Sequence, residues 1–577
     1  MILALRRRWS IPRFTPKPIP KSPLAHFAIT LTETLTNSFR RRARWILAVL
    51  LAVAAPLAGA GLSAASIHRS PGLGLVHPEA AAGSASPVPA LHPPRRNRAL
   101  DRKIDALLGT SDAQRGFWGL EVVDLKSARV LYARNADHLF LPASNMKMYT
   151  TAAALEKLGP DYVFHTTVEG DAAPDAAGRV GNLYLVGRGD PNLGVRTFPY
   201  TYHGLRQPAD MALQELADKL QARGVREVTG NLIADDSYFA FEPFAPNWEA
   251  EDLEWGYGAP VTAWVFNDNL LTLHIKPGPS AGDMANLTLE PVADYYQIKN
   301  RVTTSAAGTA KNYSLERLPG AMELDVWGQF PAGAREDAET ISIANPPQLV
   351  AHLFRQMLEA RGITVKGQVE VRDASLEDAA SPSGPPPAPH VVLAEHLSPP
   401  LREAIKAINK ESENLHAELL LRTLGHLLNN TGSLSAGLEE LDQFASQQAG
   451  ILPGETYFTD GSGLSRADLV APNATIKLLL YMAHSPNFPA FFDSLPVAGV
   501  DGTLAHRFTT DEFKGRIHAK TGTVGHVNAL SGFMDLPSGR RLVFSLMTNN
   551  HPLSSRNGQE TLDEVAQEIF KYYATRR

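Results

Sequence analysis

Three short runs of the sequence hold residue types suited to acyl transfer through a serine. The first is Ser144-Asn145-Met146-Lys147, and no other lysine in the chain has a serine three residues before it. On a helix that spacing sets both side chains on one face, so the amine can reach the hydroxyl and take its proton. The positive end of the helix favours the resulting alkoxide. A lysine serves as base only when its pKa falls, through burial or a nearby cation, and Lys520 offers such a charge. Taken alone, the pair reads more simply as a helix cap followed by a solvated lysine.

The second run is Ser412-Glu413-Asn414. The same S-x-N pattern recurs at Ser485–Asn487 and Ser555–Asn557, so context must choose among the three. Ser412 lies between two apolar helical segments, where a hydroxyl can point inward as a proton relay. The other two sit in Pro- or Gly-adjacent loops and read as surface turns. The third run, Lys520-Thr521-Gly522, occurs once. Its strand pattern supplies backbone groups to pair an extended substrate. Lys520 supplies charge for a carboxylate, Thr521 a hydroxyl, and Gly522 lets a substrate approach the backbone.

The elements that must position these runs are legible from periodicity and punctuation. Residues 117–123 and 130–132 read as two strands around a polar turn. Residues 141–159 read as a helix with Ser144 near its start and Gly159 at its end. Helical segments at 401–409 and 415–428 flank Ser412. Residues 516–521, 529–534 and 541–547 read as three strands, and 561–573 as a closing helix. Between about 170 and 389 the texture changes to short strands (183–186, 232–234, 271–275, 287–289) with helices at 211–223 and 347–361. The expected fold class is therefore α/β: an antiparallel sheet flanked by helices, split by a large strand-rich insertion.

With all three runs in this order, the sequence resembles the low-molecular-mass class C penicillin-binding proteins, the DacB-like D-alanyl-D-alanine carboxypeptidase/endopeptidases of peptidase family S13. The similarity reaches Ile408-Asn409-Lys410-Glu411-Ser412-Glu413-Asn414-Leu415-His416-Ala417-Glu418, Asp460-Gly461-Ser462-Gly463-Leu464-Ser465-Arg466, residues 496–504 and Gly187-Arg188-Gly189-Asp190-Pro191. It covers roughly residues 98–577, and Glu413 stands where Asp is usual. Spacing discriminates best: 268 positions separate Ser144 from Ser412, and 108 separate Ser412 from Lys520. The long first gap resembles the family's insertion of two extra domains; class A β-lactamases have a far shorter one. The resemblance implies Ser144 as nucleophile, Lys147 as base, Ser412 with Lys520 as proton relay, and Asn414, Thr521, Gly522 and Thr523 as substrate-binding residues. It implies peptidoglycan stem peptides as substrate, β-lactam antibiotics as covalent inhibitors, and no cofactor or metal. The rival readings are a β-lactamase or related esterase with the same catalytic set, and an idle wall-binding protein.

The expected domains are a signal peptide or anchor at 1–65, a flexible Pro/Ala-rich linker at 66–97, and a split catalytic domain at 98–169 and 390–577. An inserted domain at 170–245 and 340–389 carries a nested one at 246–339. Residues 1–65 hold ten Arg or Lys and one acid, while the whole chain of 577 residues carries a formal charge of −5. The remainder is thus −14, which repels phosphate backbones and argues against a nucleic-acid partner. Arg40, Arg41, Arg42 and Arg44 precede an apolar run from Trp45 to Ala58 and a small-residue exit, the layout of a secretory signal with cleavage after Ala60. An uncleaved anchor is the alternative, and with it N-terminal membrane association. The expected location is exported, periplasmic or cell envelope. The chain has no cysteine, which removes disulfides, thiol nucleophiles and Cys-based zinc sites.

Overall fold

The computed structural model describes residues 91–575, apart from 93–97, 111, 293 and 378–389. The expected signal or anchor, nearly all of the expected linker, and the Pro-rich loop at 381–389 lie outside the described residues. At the linker's end, the His92 N–H donates to the Ala128 carbonyl and the His92 carbonyl accepts from Val130 N–H.

Five antiparallel strands form one sheet: β1 (Phe117–Asp124), β2 (Arg129–Arg134), β3 (Ile517–Val524), β4 (Val527–Asp535) and β5 (Arg541–Asn549), in the order β3-β4-β5-β1-β2. β1 and β5 place Leu120 opposite Leu546, although the two lie at opposite ends of the chain. Both strands are buried on both faces, because helices cover each side. One layer uses α1 (Arg98–Leu108) and α5 (Ser555–Ala574), packing Leu100, Ile104, Val565 and Ile569 on Leu120, Val122 and Leu546. The other uses α2 (Met146–Leu158), α3 (Asn414–Asn429) and α4 (Pro472–His484), packing Met148, Leu420 and Leu479 near Val123, Val543 and Met547. Every residue of α2 from Met146 to Leu155 is buried. It is a core helix rather than an amphipathic one, and its Ala152-Ala153-Ala154 run suits close approach by neighbours.

Three local expectations are revised. The helix expected over 401–409 is an α-helix only at Leu401–Lys406; it widens into a π-turn at Ala407–Glu411 and stops at Ser412, whose φ is 68°. The Ser485–Asn487 turn is not a surface feature: Ser485 is buried and bonds Glu156, and the Asn487 amide donates to the Leu155 carbonyl, closing the end of α2. Ser555–Asn557 opens α5, where the Ser554 hydroxyl caps Asn557 N–H, so that helix starts earlier than residue 561.

The insertion builds its own core. A mixed five-stranded sheet runs in the order Val369–Ala374, Leu232–Ala240, Leu183–Val186, His165–Gly170, Val391–Leu397. Strands 165–170 and 391–397 pair with each other. The boundaries expected at 169/170 and 389/390 therefore cut through this sheet, since strand 165–170 pairs with 183–186 of the insertion and carries the edge strand 391–397. Helices Met211–Ala222 and Pro346–Ala360 pack on it, the latter started by Asn345, whose side chain accepts from Gln348 N–H. Six further strands between residues 270 and 342 form two three-stranded sheets. Among the described residues no helix is long and apolar enough to cross a membrane.

Candidate active site

Ser144 occupies a single 3-10 turn, Ala143–Asn145, that runs directly into α2. Two glycines pinch this turn. A Cβ on Gly463, whose φ is 81°, would stand 1.9 Å from the Ala143 carbonyl oxygen, and one on Gly522 would stand 2.5 Å from the Pro142 carbonyl oxygen. Gly522 is thus required by the turn that carries Ser144, a packing reason beside the substrate approach expected from sequence. The Asn145 amide donates to Ser531 Oγ at 2.8 Å, and Ser531 to Ser545 at 3.0 Å, tying the turn across β4 and β5.

Lys147, fully buried, sends its ammonium to three acceptors: Ser144 Oγ at 2.9 Å, Asn414 Oδ1 at 2.5 Å and the Ser462 carbonyl at 2.7 Å. Burial lowers its pKa to about 8, while Asp460, Glu413, Glu418 and Asp468 oppose a deeper fall. Of the two causes expected, burial or a nearby cation, burial supplies the shift. Lys520 is also fully buried, donating to Ser412 Oγ at 2.9 Å and to the Thr521 carbonyl at 3.0 Å. Burial first, and then the Lys147 charge, hold its amine well below the usual lysine range. Two amines with weakened protonation thus each face one serine hydroxyl, an arrangement able to move protons on and off oxygen near neutral pH.

The remaining expected residues gather here too. The Asn414 amide nitrogen donates to the Tyr257 carbonyl of the insertion at 2.8 Å, so Asn414 bridges the insertion and Lys147. Thr521 Oγ1 bonds Thr503 Oγ1 at 2.8 Å. Thr523 is exposed, and its hydroxyl accepts from Asn528 at 3.2 Å and Gln559 at 3.1 Å. β3 is the edge strand of its sheet. Ala519 N–H donates outward to Pro496, so by antiparallel alternation Thr521 and Thr523 direct their backbone groups the same way. A groove of about 880 Å³ opens beside the Ser412 turn, walled by residues 195–206 and Tyr257 of the insertion.

Several residues escaped the sequence reading. Ser462 offers a carbonyl, not a side chain, to Lys147. It is held by Asp460, whose carboxylate accepts from the N–H groups of Ser462, Gly463 and Ser465. Glu418 adds bonds from Gly461 and Ser462 N–H, and its partner Arg422 is as fully buried as itself. The Asp460-Gly461-Ser462-Gly463 run was the available signal. No group of three or more His, Cys, Asp or Glu suited to a metal ion is found among the described residues.

A family model described as D-Ala-D-Ala carboxypeptidase 3 (S13) matches residues 100–569. The chain belongs to this family. It is accordingly a serine-type D-alanyl-D-alanine carboxypeptidase, a hydrolase of the S13 class. It is 35% identical over 480 residues to a D-alanyl-D-alanine carboxypeptidase from Actinomadura sp. (strain R39), covering 81% of this chain and 84% of that one. It is 24% identical over 465 residues to the D-alanyl-D-alanine carboxypeptidase DacB of Haemophilus influenzae, covering 79% and 91%. The crystal structure of penicillin binding protein 4 (dacB) from Haemophilus influenzae superposes with a TM-score of 0.70 at 22% identity, over 82% of this chain and 99% of that one. That likeness establishes the S13 fold, with the sheet split by an insertion as expected.

Proposed function

We propose that this S13 enzyme cleaves D-alanyl bonds of peptidoglycan stem peptides, as a carboxypeptidase and/or D,D-endopeptidase, through an acyl-enzyme on Ser144. The observation that carries the reading is the pairing of Lys147 Nζ with Ser144 Oγ at 2.9 Å and of Lys520 Nζ with Ser412 Oγ at 2.9 Å. In this reading neutral Lys147 takes the Ser144 proton as Oγ attacks the carbonyl of the penultimate D-Ala. The N–H groups of Ser144 and Thr523 hold the oxyanion; one such donor is typically worth ~10²–10³ in rate. Ser412, backed by Lys520, returns a proton to the leaving amine as the peptide C–N bond breaks. Lys520, Thr521 and Thr523 receive the terminal carboxylate, and Asn414 the substrate backbone. Water then attacks the ester, giving a free acid and regenerating Ser144.

A β-lactam, whose strained amide presents the same carbonyl, acylates Ser144 by the same steps. The enzyme works in the exported compartment, with residues 1–65 as its signal or anchor and 66–97 as a linker. The split catalytic domain surrounds an inserted domain and a nested one. Mass spectrometry after penicillin exposure tests the reading. A persistent adduct on the native protein, absent from folded Ser144→Ala, supports it. Labelling that survives in Ser144→Ala moves the nucleophile elsewhere, fast nitrocefin turnover favours a β-lactamase, and no reaction favours an idle wall-binding protein.

A further inference from the structure

We infer that Arg196 and Asp268, both in the insertion, are positioning residues that hold the Ser412 turn in its reactive shape. This rests on the role proposed above for Ser412. Arg196 Nε and Nη2 donate to Glu411 Oε2 at 3.0 and 2.6 Å, and Nη2 lies 3.7 Å from Glu413 Oε2. The guanidinium thus grips both residues that flank Ser412. Its Nη1 donates to Asp268 Oδ2 at 2.5 Å, and the other oxygen of Asp268 meets His416 Nε2 at 2.8 Å on the first turn of α3. The turn is held from before and after the serine by one connected ion chain.

Both ends of the chain store backbone strain. Ser412 has φ 68°, and Asn267, Asp268 and Asn269 have φ of 50°, 58° and 54°. Left-handed geometry at a serine, or at three residues in succession, persists only where surroundings enforce it, although single Asn or Asp residues adopt it readily. Here the Asn269 side chain locks the insertion's turn: its oxygen accepts from Phe266 N–H, and its nitrogen donates to the Pro260 carbonyl and Thr262 Oγ1. The carboxylate of Asp268 is therefore preset before it meets Arg196. Released from this grip, the Ser412 turn would relax toward ordinary backbone angles and carry its hydroxyl away from Lys520. Neither Arg196 nor Asp268 bonds Ser144, Lys147 or Lys520, so the effect reaches them through the Ser412 turn.

The test measures second-order acylation by a fluorescent penicillin in the native enzyme, Arg196→Gln, Ser412→Ala and the double variant. Arg196→Gln should slow acylation by roughly 10- to 100-fold, as displacing a reacting group by about 1 Å does. In the Ser412→Ala background the same change should cost less than about twofold. Arg196→Lys, keeping the charge, should recover part of the rate. Equal slowing with and without Ser412, or unchanged acylation by folded Arg196→Gln, overturns the inference. Should Arg196→Gln fail to fold, Asp268→Asn, which keeps the Arg196–Glu411 bonds, runs through the same cycle with the same two outcomes. Failure of the native enzyme to acylate at all would instead strike the proposed function.

Discussion

Raising the pH from 6 to 9 should switch on acylation through one buried amine. Lys147 titrates at about 8 because burial disfavours its charge, and only its neutral form can accept the Ser144 proton. For a pKa of about 8, roughly 1% of the amine is neutral at pH 6 and about 90% at pH 9, a rise of ~90-fold. A lysine in water would be only ~0.03% neutral at pH 7, against ~9% here, so burial net of the opposing carboxylates is worth a factor of ~300 in active base. The assay is the second-order rate of penicillin acylation across pH 6–9.5 at constant ionic strength. Its logarithm should climb with unit slope and level off near pH 8. Ser412→Ala removes the partner of Lys520 but leaves the surroundings of Lys147, so the inflection should persist in that variant. A flat profile between pH 6 and 8 would refute Lys147 as the titrating base. An inflection that moves with Ser412→Ala would reassign it to Lys520.

Two further outcomes are expected from packing and burial. Gly463→Ala should cut acylation by about 100-fold, since the new methyl collides with the Ala143 carbonyl. The left-handed φ should cost a further ~1–2 kcal/mol of stability; thermal melts beside labelling rates check both. Glu121 is 4% exposed, one of its carboxylate oxygens has no hydrogen-bond partner among the described residues, and burial raises its pKa to about 7. Folded protein thus holds this proton up to about pH 7, whereas the unfolded chain releases it above about 4.5, so the native enzyme loses stability as pH rises across that window. Glu121→Gln should remove the loss, gaining up to roughly 3 kcal/mol above pH 7 and nothing near pH 4.5 in denaturant titrations.

What the sequence revealed was local, and what it hid was long-range. Ser144 at a helix start, Lys147 one turn on, and Lys520 on a strand followed from periodicity and punctuation, as did the split antiparallel sheet and the strand-rich insertion. The widening of residues 407–411 and the left-handed Ser412 were invisible, because propensity carries no information about a backbone forced by distant carboxylate pairs. The packing of Gly522 against Pro142 was hidden, because no spacing rule connects the two. Arg196 and Asp268 gave no sign, since surface-like charges become structural only when the fold brings them together. The backbone carbonyl of Ser462 lies beyond any residue-type argument, although the glycines around it marked a tight turn.

The pairing of β1 with β5 has a consequence for how the molecule is made. Roughly 400 residues must be synthesised between the two strands, which at ~5–20 residues per second takes about 20–80 s. Until β5 is in place β1 has an open edge, while the insertion, whose strands pair among themselves, can close without it. A chain broken off before residue 541 lacks the strand that joins β4 to β1, so its nucleophile turn and its Lys520 strand would belong to separate half-sheets. β5 is therefore the strand that joins the half-sheet leading to the nucleophile turn with the half-sheet that carries Lys520.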